Sequence, residues 1–370
     1  MANLLDYLEW RGDLTLEASP WNEVDGIILA RFSYLPLASV LPSLAVQSMP
    51  LSAVAEALLS DPDLPQKVLG RDEEDISLLR VLRESRRFSR MQVSQCREIT
   101  DNASQTQFSA VTVQVHEGLS YLSFRGTDNT LVGWKEDFNM GFICPVPAQQ
   151  LALAYFQDIA GSMDGEFILG GHSKGGNLAV YAAAFGGPRL QARIRTVYNF
   201  DGPGFMEKIL AEEGYQSICQ KVQTLVPQSS IVGMLLGHEE KYSIVHSTRK
   251  NGILQHDVYS WEVQRDRFVP LETVTNSSRF IDFTLKEWIA NMNAAEREAF
   301  VDAAYQLIAE TNARTLRELS DHWFETARTL LKSAKNLDDT TRQTLTRTLF
   351  SLMRSTKTGW KQVMQKKDRD

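Results

Sequence analysis

A serine between two glycines offers the clearest chemistry in this sequence. The run Gly171-His-Ser-Lys-Gly175 joins a short apolar strand pattern to a helix pattern rich in small residues. This spacing is typical of a nucleophile elbow, a tight strand-to-helix turn that lifts a serine hydroxyl above a sheet and needs small neighbours. It predicts Ser173 as the nucleophile of an acyl-transfer reaction. The alternative is an ordinary glycine-rich turn without chemistry.

A serine nucleophile needs a base that takes its proton. In elbow enzymes the histidine follows the serine in the chain, which leaves His238, His246, His256 and His322. His256 lies in a short segment beyond the last expected core strand, from which its ring can swing back over the elbow. We therefore predict His256 as the base, with His238, in an expected exposed loop, as second choice. His246 is expected to be packed in a strand, and His322 lies in a C-terminal helical region.

The acid that orients the histidine is less sharply marked. Asp201 directly follows a predicted strand, at the carboxyl edge of the sheet, where site residues gather. The competing interpretation is a turn residue that caps Gly202-Pro-Gly204. Both interpretations stay open, as does a dyad in which a hydroxyl or a backbone group orients the histidine.

An acyl-transfer site also needs two backbone donors for the oxyanion. One donor is normally the amide after the nucleophile, here Lys174. The other is predicted at Thr127, because Phe124-Arg-Gly-Thr127 ends an earlier strand pattern and Gly126 lets the chain turn closely. The alternative is a plain glycine turn with a surface arginine.

Strand and helix patterns alternate around these residues. An amphipathic helix is predicted from about Pro147, between the strands that precede and carry the elbow. The predicted strands are 108–115, 119–124, 166–170, 193–200, 220–226, 242–246 and 260–263. This alternation favours an α/β fold with a mostly parallel, doubly wound sheet, opened by the hairpin 108–124 and covered on both faces.

The chain is expected to divide into three parts. Residues 1–89 form a mainly helical segment packed on the core, 90–280 the α/β core, and 281–370 a C-terminal helical appendage. The last part carries a basic polar face. That face fits either a helix packed on the core or a helix that binds a membrane surface or a protein partner.

The amino-acid composition limits the classes of function that this protein could have. With 370 residues, 43% hydrophobic and 23% charged, the chain has the make-up of a folded soluble protein. A net charge of -7 argues against a nucleic-acid partner. Three cysteines without paired spacing, an acidic N-terminal stretch and no long apolar run favour a cytoplasmic protein without disulfides. The predicted chemistry needs no cofactor and no metal.

Together these motifs resemble a known family. The run 124–127, followed by Trp134 and Asp137 and then the elbow, resembles the class 3 lipase arrangement within the α/β-hydrolase fold. Over roughly residues 22–272 the chain is more closely similar to a bacterial family of lipase-like domains of unknown function. The motifs that carry this are Gly170-Gly-His-Ser-Lys-Gly-Gly-Asn177, Val197-Tyr-Asn-Phe-Asp-Gly-Pro-Gly-Phe205, Val226-Pro-Gln-Ser-Ser-Ile-Val-Gly233 and Gln255-His-Asp257. The resemblance implies an α/β-hydrolase fold with Ser173 as nucleophile, His256 as base and Thr127 with Lys174 as oxyanion donors.

Three departures from the lipase pattern bear on function. Ser230-Ile-Val232 stands where class 3 lipases place their catalytic aspartate. Lys174 replaces a residue that is usually apolar, and it is expected to bring a positive charge near the mouth of the active site. The segment 137–147 is short for a lid over the site. We expect a serine hydrolase that cleaves carboxylic esters, including lipid or acyl esters. The alternatives are a hydrolase-fold binding or scaffold protein with weak catalysis, and an acyltransferase that uses the same site.

Overall fold

A computed structural model describes residues 1–41, 48–68, 72–101, 106–127, 140, 143–250 and 252–275. The helical appendage predicted over 281–370, with its basic face and His322, lies outside these residues, and so does part of the segment 137–147. Within the described ranges, no helix is both long and apolar enough to cross a bilayer. The thiols of Cys96, Cys144 and Cys219 are all free.

Helices and strands alternate through most of the described chain. The α-helices are α1 Leu4–Arg11, α2 Glu23–Phe32, α3 Leu51–Leu59, α4 Leu64–Lys67, α5 Asp72–Glu84, α6 Pro147–Ser162, α7 Lys174–Phe185, α8 Pro188–Gln191, α9 Glu207–Leu210 and α10 Glu213–Ile218. The strands are β1 Met49–Pro50, β2 Gln92–Asp101, β3 Thr106–His116, β4 Leu119–Phe124, β5 Glu166–His172, β6 Ile194–Phe200, β7 Val222–Pro227, β8 Tyr242–Val245, β9 Val263–Gln264, β10 Arg267–Phe268 and β11 Pro270–Leu271.

One large sheet organises these elements, with the order β1-β2-β3-β4-β5-β6-β7-β8-β11. Its central strands, β4 to β8, pair in parallel, and antiparallel strands flank them. The predicted mixed α/β fold with a large, mostly parallel central sheet is confirmed. Because β4 to β8 run parallel, their carboxyl ends share one edge, where residues far apart in sequence can meet.

The prediction that the hairpin 108–124 opens the sheet is wrong. Strands β1 and β2 precede it, and β2 pairs antiparallel with β3 along most of its length. The pairing shifts between Ser94 and Arg97, and Gln95 has a φ of 54°. A bulge of this kind interrupts the period-two alternation by which a strand is recognised in a sequence.

The two faces of the sheet are covered by different parts of the chain. Helices α6, α7 and α10 cover one face, and the N-terminal helices α1, α2, α3 and α5 cover the other. The predicted double winding is therefore wrong. With β4 to β8 in sequential order, right-handed crossovers all return on the same side of the sheet, which leaves the second face to the N-terminal helices.

Helix α7 lies at the centre of its layer and directly follows the elbow. Its residues 174 to 184 are all buried. Its first turn approaches the end of β4 so closely that a Cβ atom on Gly175 would lie 2.0 Å from the Phe124 carbonyl oxygen. Only glycine fits this contact, so the close packing of α7 on the sheet fixes the turn that carries Ser173.

Candidate active site

Ser173 occupies the sharp turn between β5 and α7. Its φ of 59° and ψ of -134° are strained for a residue with a side chain, and such strain is common at functional sites. The turn is held by backbone hydrogen bonds from the Ser173 amide to the Phe200 carbonyl, 2.9 Å, and from the Gly176 amide to the Ser173 carbonyl, 2.9 Å. The residue is half-buried. A strained strand-to-helix turn of this kind is the geometry expected of a nucleophile elbow.

The segment after β4 lies directly against the elbow. A Cβ atom on Gly126 would lie 2.6 Å from the His172 carbonyl oxygen and 3.1 Å from Ser173 Cβ. Thr127 follows Gly126 in the chain, and the Lys174 amide belongs to the first turn of α7. Both segments predicted to supply oxyanion donors therefore flank Ser173.

Asp201 and His256 meet at the carboxyl edge of the sheet. Asp201 directly follows β6, is fully buried, and has a φ of 51°. Its Oδ2 lies 2.7 Å from His256 Nδ1 and accepts a hydrogen bond from that nitrogen. The competing turn role belongs to Asn199, whose Oδ1 accepts from the Gly202 amide at 2.9 Å. The structure thus brings the predicted acid and base together and leaves Nε2 of the histidine as the ring nitrogen that can accept a proton.

The second oxygen of Asp201 is also held, by residues that the sequence did not mark as part of the site. Oδ1 accepts from the Ser230 hydroxyl and, at 3.1 Å, from the Gly233 amide. Ser230 is fully buried and lies just beyond β7. Its only sequence signal was the departure from the lipase pattern at 230–232. The carboxylate that contacts His256 thus lies at the end of β6, and Ser230, beyond β7, donates a hydrogen bond to it.

His256 lies beside the elbow. It ends a single 3-10 turn, Gly252–His256, and its ring centroid is 4.4 Å from that of His172, the residue before Ser173. The His256 side chain is 23% exposed, so part of its ring is accessible from solvent. Among the described residues, no hydrogen bond joins Ser173 Oγ to His256 Nε2.

The other candidate histidines have different surroundings. The prediction of an exposed loop for His238 is wrong, because its side chain is 7% exposed, with Nδ1 2.9 Å from Glu240 Oε1 and Nε2 2.8 Å from the Gly233 carbonyl oxygen. His246 is not packed in the core either, since its side chain is 30% exposed and its Nδ1 lies 2.6 Å from Glu262 Oε2. Neither histidine contacts Asp201, so the runner-up base is not favoured.

Lys174 also differs from expectation. Its side chain is buried, and Nζ donates to the backbone carbonyl of Gln107 at 2.8 Å and to the Oε1 of the same residue at 3.1 Å. Gln107 lies at the start of β3. The prediction of a positive charge near the mouth of the site is therefore wrong, because hydrogen bonds hold the ammonium group against β3 within the protein.

The His238–Glu240 pair gives a pH-dependent prediction. Burial raises the pKa of Glu240, but the hydrogen bond and charge of His238, with the Thr224 and Tyr215 hydroxyls, outweigh it and lower the pKa to about 2. Because this lies below the ordinary 4.5, the stabilisation is complete above about pH 4.5 and is lost as the pH falls toward 2. Between pH 6 and 2, wild type should lose about 3 kcal/mol more unfolding free energy than Glu240→Gln.

Urea denaturation across this pH range measures the difference. Glu207, an exposed carboxylate, provides the control, and Glu207→Gln should follow the wild-type curve. If the free energy of unfolding changes with pH in the same way for Glu240→Gln and wild type, the fold does not hold this carboxylate in its charged form.

Across the described ranges, no cluster of three or more histidine, cysteine, aspartate or glutamate residues could hold a metal ion.

Comparisons with known proteins gave one family and several solved structures. A family model described as Mbeg1-like matches residues 82–306, more than half of the chain. The similar structures include a native lipase–propeptide complex from Rhizomucor miehei, with 12% identity, 53% of this chain and 66% of that chain covered, and a TM-score of 0.33. This chain thus spans just under two thirds of that protein.

Two further structures are similar at the same level. A mutant form of MDLA from Penicillium cyclopium has 12% identity, with 61% of this chain and 79% of that chain covered and a TM-score of 0.36. A lipase from Rhizopus microsporus var. chinensis has 14% identity, with 59% and 84% covered and a TM-score of 0.31. None of the curated proteins matches the sequence.

Proposed function

This chain belongs to the Mbeg1-like family, and we propose that it is a serine hydrolase of the α/β-hydrolase type that cleaves carboxylic esters, including lipid or acyl esters. The observation that carries the proposal is the 2.7 Å contact between Asp201 and His256 beside the strained turn of Ser173. A buried carboxylate, an imidazole and a serine on an elbow are the three parts of a serine-hydrolase triad.

The reaction follows from these positions. The carboxylate of Asp201 accepts a hydrogen bond from Nδ1–H of His256 and so holds the tautomer in which Nε2 is the base that takes the proton of Ser173. The serine oxygen attacks the ester carbonyl, and the backbone amides of Thr127 and Lys174 stabilise the oxyanion. His256 then gives its proton to the leaving alcohol, which leaves an acyl-enzyme on Ser173. A water molecule, deprotonated by the same histidine, then attacks the acyl carbonyl, and the histidine returns this proton to Ser173 Oγ as the acid leaves.

The surroundings of Asp201 support its role as the acid. A buried carboxylate must be stabilised in its charged form by hydrogen bonds. Asp201 has them from His256, Ser230 and the Gly233 amide, which together occupy both oxygens. The negative charge is thus held in place, where it stabilises the imidazolium that forms on His256 during the reaction.

One observation favours a second candidate, a hydrolase-fold binding protein with weak catalysis. Within the described residues, no hydrogen bond joins the Ser173 hydroxyl to His256 Nε2. Free enzymes often show long catalytic contacts that tighten only when substrate binds, so hydrolysis stays the better supported function. Acyl transfer to an acceptor other than water would use the same residues.

Turnover of p-nitrophenyl esters tests the proposal. If an acyl-enzyme forms and is hydrolysed slowly, acetyl, butyryl and octanoyl esters should give a rapid release of p-nitrophenol, near one equivalent per protein, followed by slower turnover. Steady release without this first phase still fits hydrolysis if deacylation is fast. Folded protein that releases no p-nitrophenol from any ester, and does not label with a serine-directed probe, would favour the binding protein instead.

A further inference from the structure

His172 is held in one tautomer by its two ring contacts. Its Nε2 lies 2.9 Å from the backbone carbonyl oxygen of His256, which can only accept, so Nε2 carries a proton. Its Nδ1 lies 3.2 Å from the Tyr34 hydroxyl, which can donate to it. The same hydroxyl is 3.2 Å from the carbonyl oxygen of His172. The ring therefore carries a proton on Nε2 and joins Tyr34 to His256.

The neutral state of His172 suits its place next to His256. Burial lowers the pKa of His172 well below its ordinary value, and the nearby charges of His256 and Arg31 lower it further. The two imidazole rings are 4.4 Å apart. A charged His172 would oppose the positive charge that forms on His256 during ester cleavage, whereas a neutral ring does not.

The N-terminal helices hold Tyr34 in this position. The guanidinium of Arg31 lies 4.5 Å over the Tyr34 ring. Arg31 pairs with Asp75 in a buried ion pair, with Nε 2.7 Å from Oδ1. The Tyr259 hydroxyl donates to the same carboxylate at 2.6 Å, only three residues beyond the candidate base. Through Arg31 and Asp75, helices α2 and α5 thus contact Tyr34, next to His172, and Tyr259, which follows His256 in the chain.

We propose that His172 is a positioning residue for the catalytic histidine. Its Nε2–H holds the carbonyl of His256, its ring supports the His256 imidazole, and the Tyr34 hydroxyl holds the other side of the ring at Nδ1. This inference rests on the proposed hydrolase function. It also makes α2, which lies outside the residues matched by the family model, part of the apparatus that positions the base.

Two amide substitutions at position 172 separate the hydrogen bond from general packing. The glutamine amide nitrogen can reach the place of the histidine Nε2, whereas the shorter asparagine amide falls nearer to Nδ1. We expect His172→Asn to lower kcat about 30- to 100-fold, because a displaced base is costly. His172→Gln keeps the hydrogen bond to the His256 carbonyl but loses the ring and its contact with Tyr34, so it should lower kcat only about 5- to 10-fold. KM should change little in both variants, since no substrate contact is lost.

Tyr34→Phe removes one hydroxyl and keeps the ring under Arg31. It should lower kcat about 5- to 10-fold at nearly constant KM, as expected for the loss of one buried hydrogen bond. His116→Asn, at an exposed position, is the matched control and should behave as wild type. Thermal melting of every variant identifies any loss of folding, and Tyr34→Phe keeps the test valid if both substitutions at position 172 unfold the protein.

The outcomes separate this inference from the hydrolase proposal. An active wild type with a slow Asn variant, a Gln variant slowed about as much as Tyr34→Phe and clearly less than Asn, and a slowed Tyr34→Phe supports the positioning role. Equal kcat values in folded Asn and Gln variants, or an unchanged kcat in Tyr34→Phe, overturn it and leave the hydrolase intact. A wild type that neither labels with a serine-directed probe nor cleaves esters overturns the hydrolase proposal and this inference with it.

Discussion

Replacement of Ser173 by alanine should reduce kcat for ester cleavage by a factor on the order of 10⁵ to 10⁶. The reason is that, in the proposed mechanism, Ser173 Oγ forms the covalent bond of the acyl-enzyme, and alanine has no group that can replace it. The fold should persist, because alanine keeps the Cβ atom that the turn already accommodates at a φ of 59°. Initial rates with p-nitrophenyl butyrate and the melting temperature are the two measurements.

The control for this change is Ser217→Ala. Ser217 is exposed on α10 and bonds only locally, to the Glu213 carbonyl at 2.8 Å. Its replacement should leave the rate unchanged. A Ser173→Ala variant that folds and keeps a large part of the wild-type rate would show that the nucleophile lies elsewhere.

The second large effect is expected at Asp201. Asn has nearly the same shape and tolerates the φ of 51° at this position, so the backbone should not move. Its amide, however, no longer favours the Nδ1–H tautomer of His256, and kcat should fall by about 10⁴-fold. The measurement is kcat at fixed pH, with the circular dichroism spectrum as a check on folding.

Two further variants show whether Asp201 itself is the acid. Ser230→Ala removes one of three hydrogen bonds to the carboxylate and should cost about 10-fold in kcat, far less than Asp201→Asn. Asp164→Asn, at an exposed position, should cost nothing. If Asp201→Asn is as active as Ser230→Ala, the orienting acid is not at the end of β6.

Short sequence patterns predicted the elements of this protein that depend on residues close together in the chain. The elbow was visible because its turn requires glycine on both sides of the serine, and β3 to β8 were visible as apolar runs. Asp201 was found because a carboxylate directly after a strand must lie at the carboxyl edge of a parallel sheet. Strand β2 was missed because the bulge at Gln95 breaks its alternation.

The remaining features depend on contacts between distant residues. Tyr34 and His172 are 138 positions apart, and Ser230 and Asp201 are 29 apart, so no spacing in the sequence indicates either contact. The buried directions of the Lys174 and His238 side chains are likewise set by Gln107 and by Glu240 with Gly233, within the packed fold. Long polar side chains next to a site can point outward or inward, and only the tertiary structure decides.

Labelling with a fluorophosphonate probe, followed by mass spectrometry of the modified peptide, tests the central claim most directly. The probe reacts with serines that a neighbouring base activates, and it requires no knowledge of the natural substrate. We expect near-stoichiometric labelling of wild type at Ser173, none in Ser173→Ala and strongly slowed labelling in His256→Ala. Folded wild type that stays unlabelled, or a label that persists in Ser173→Ala, would contradict the assignment of Ser173 as an activated nucleophile.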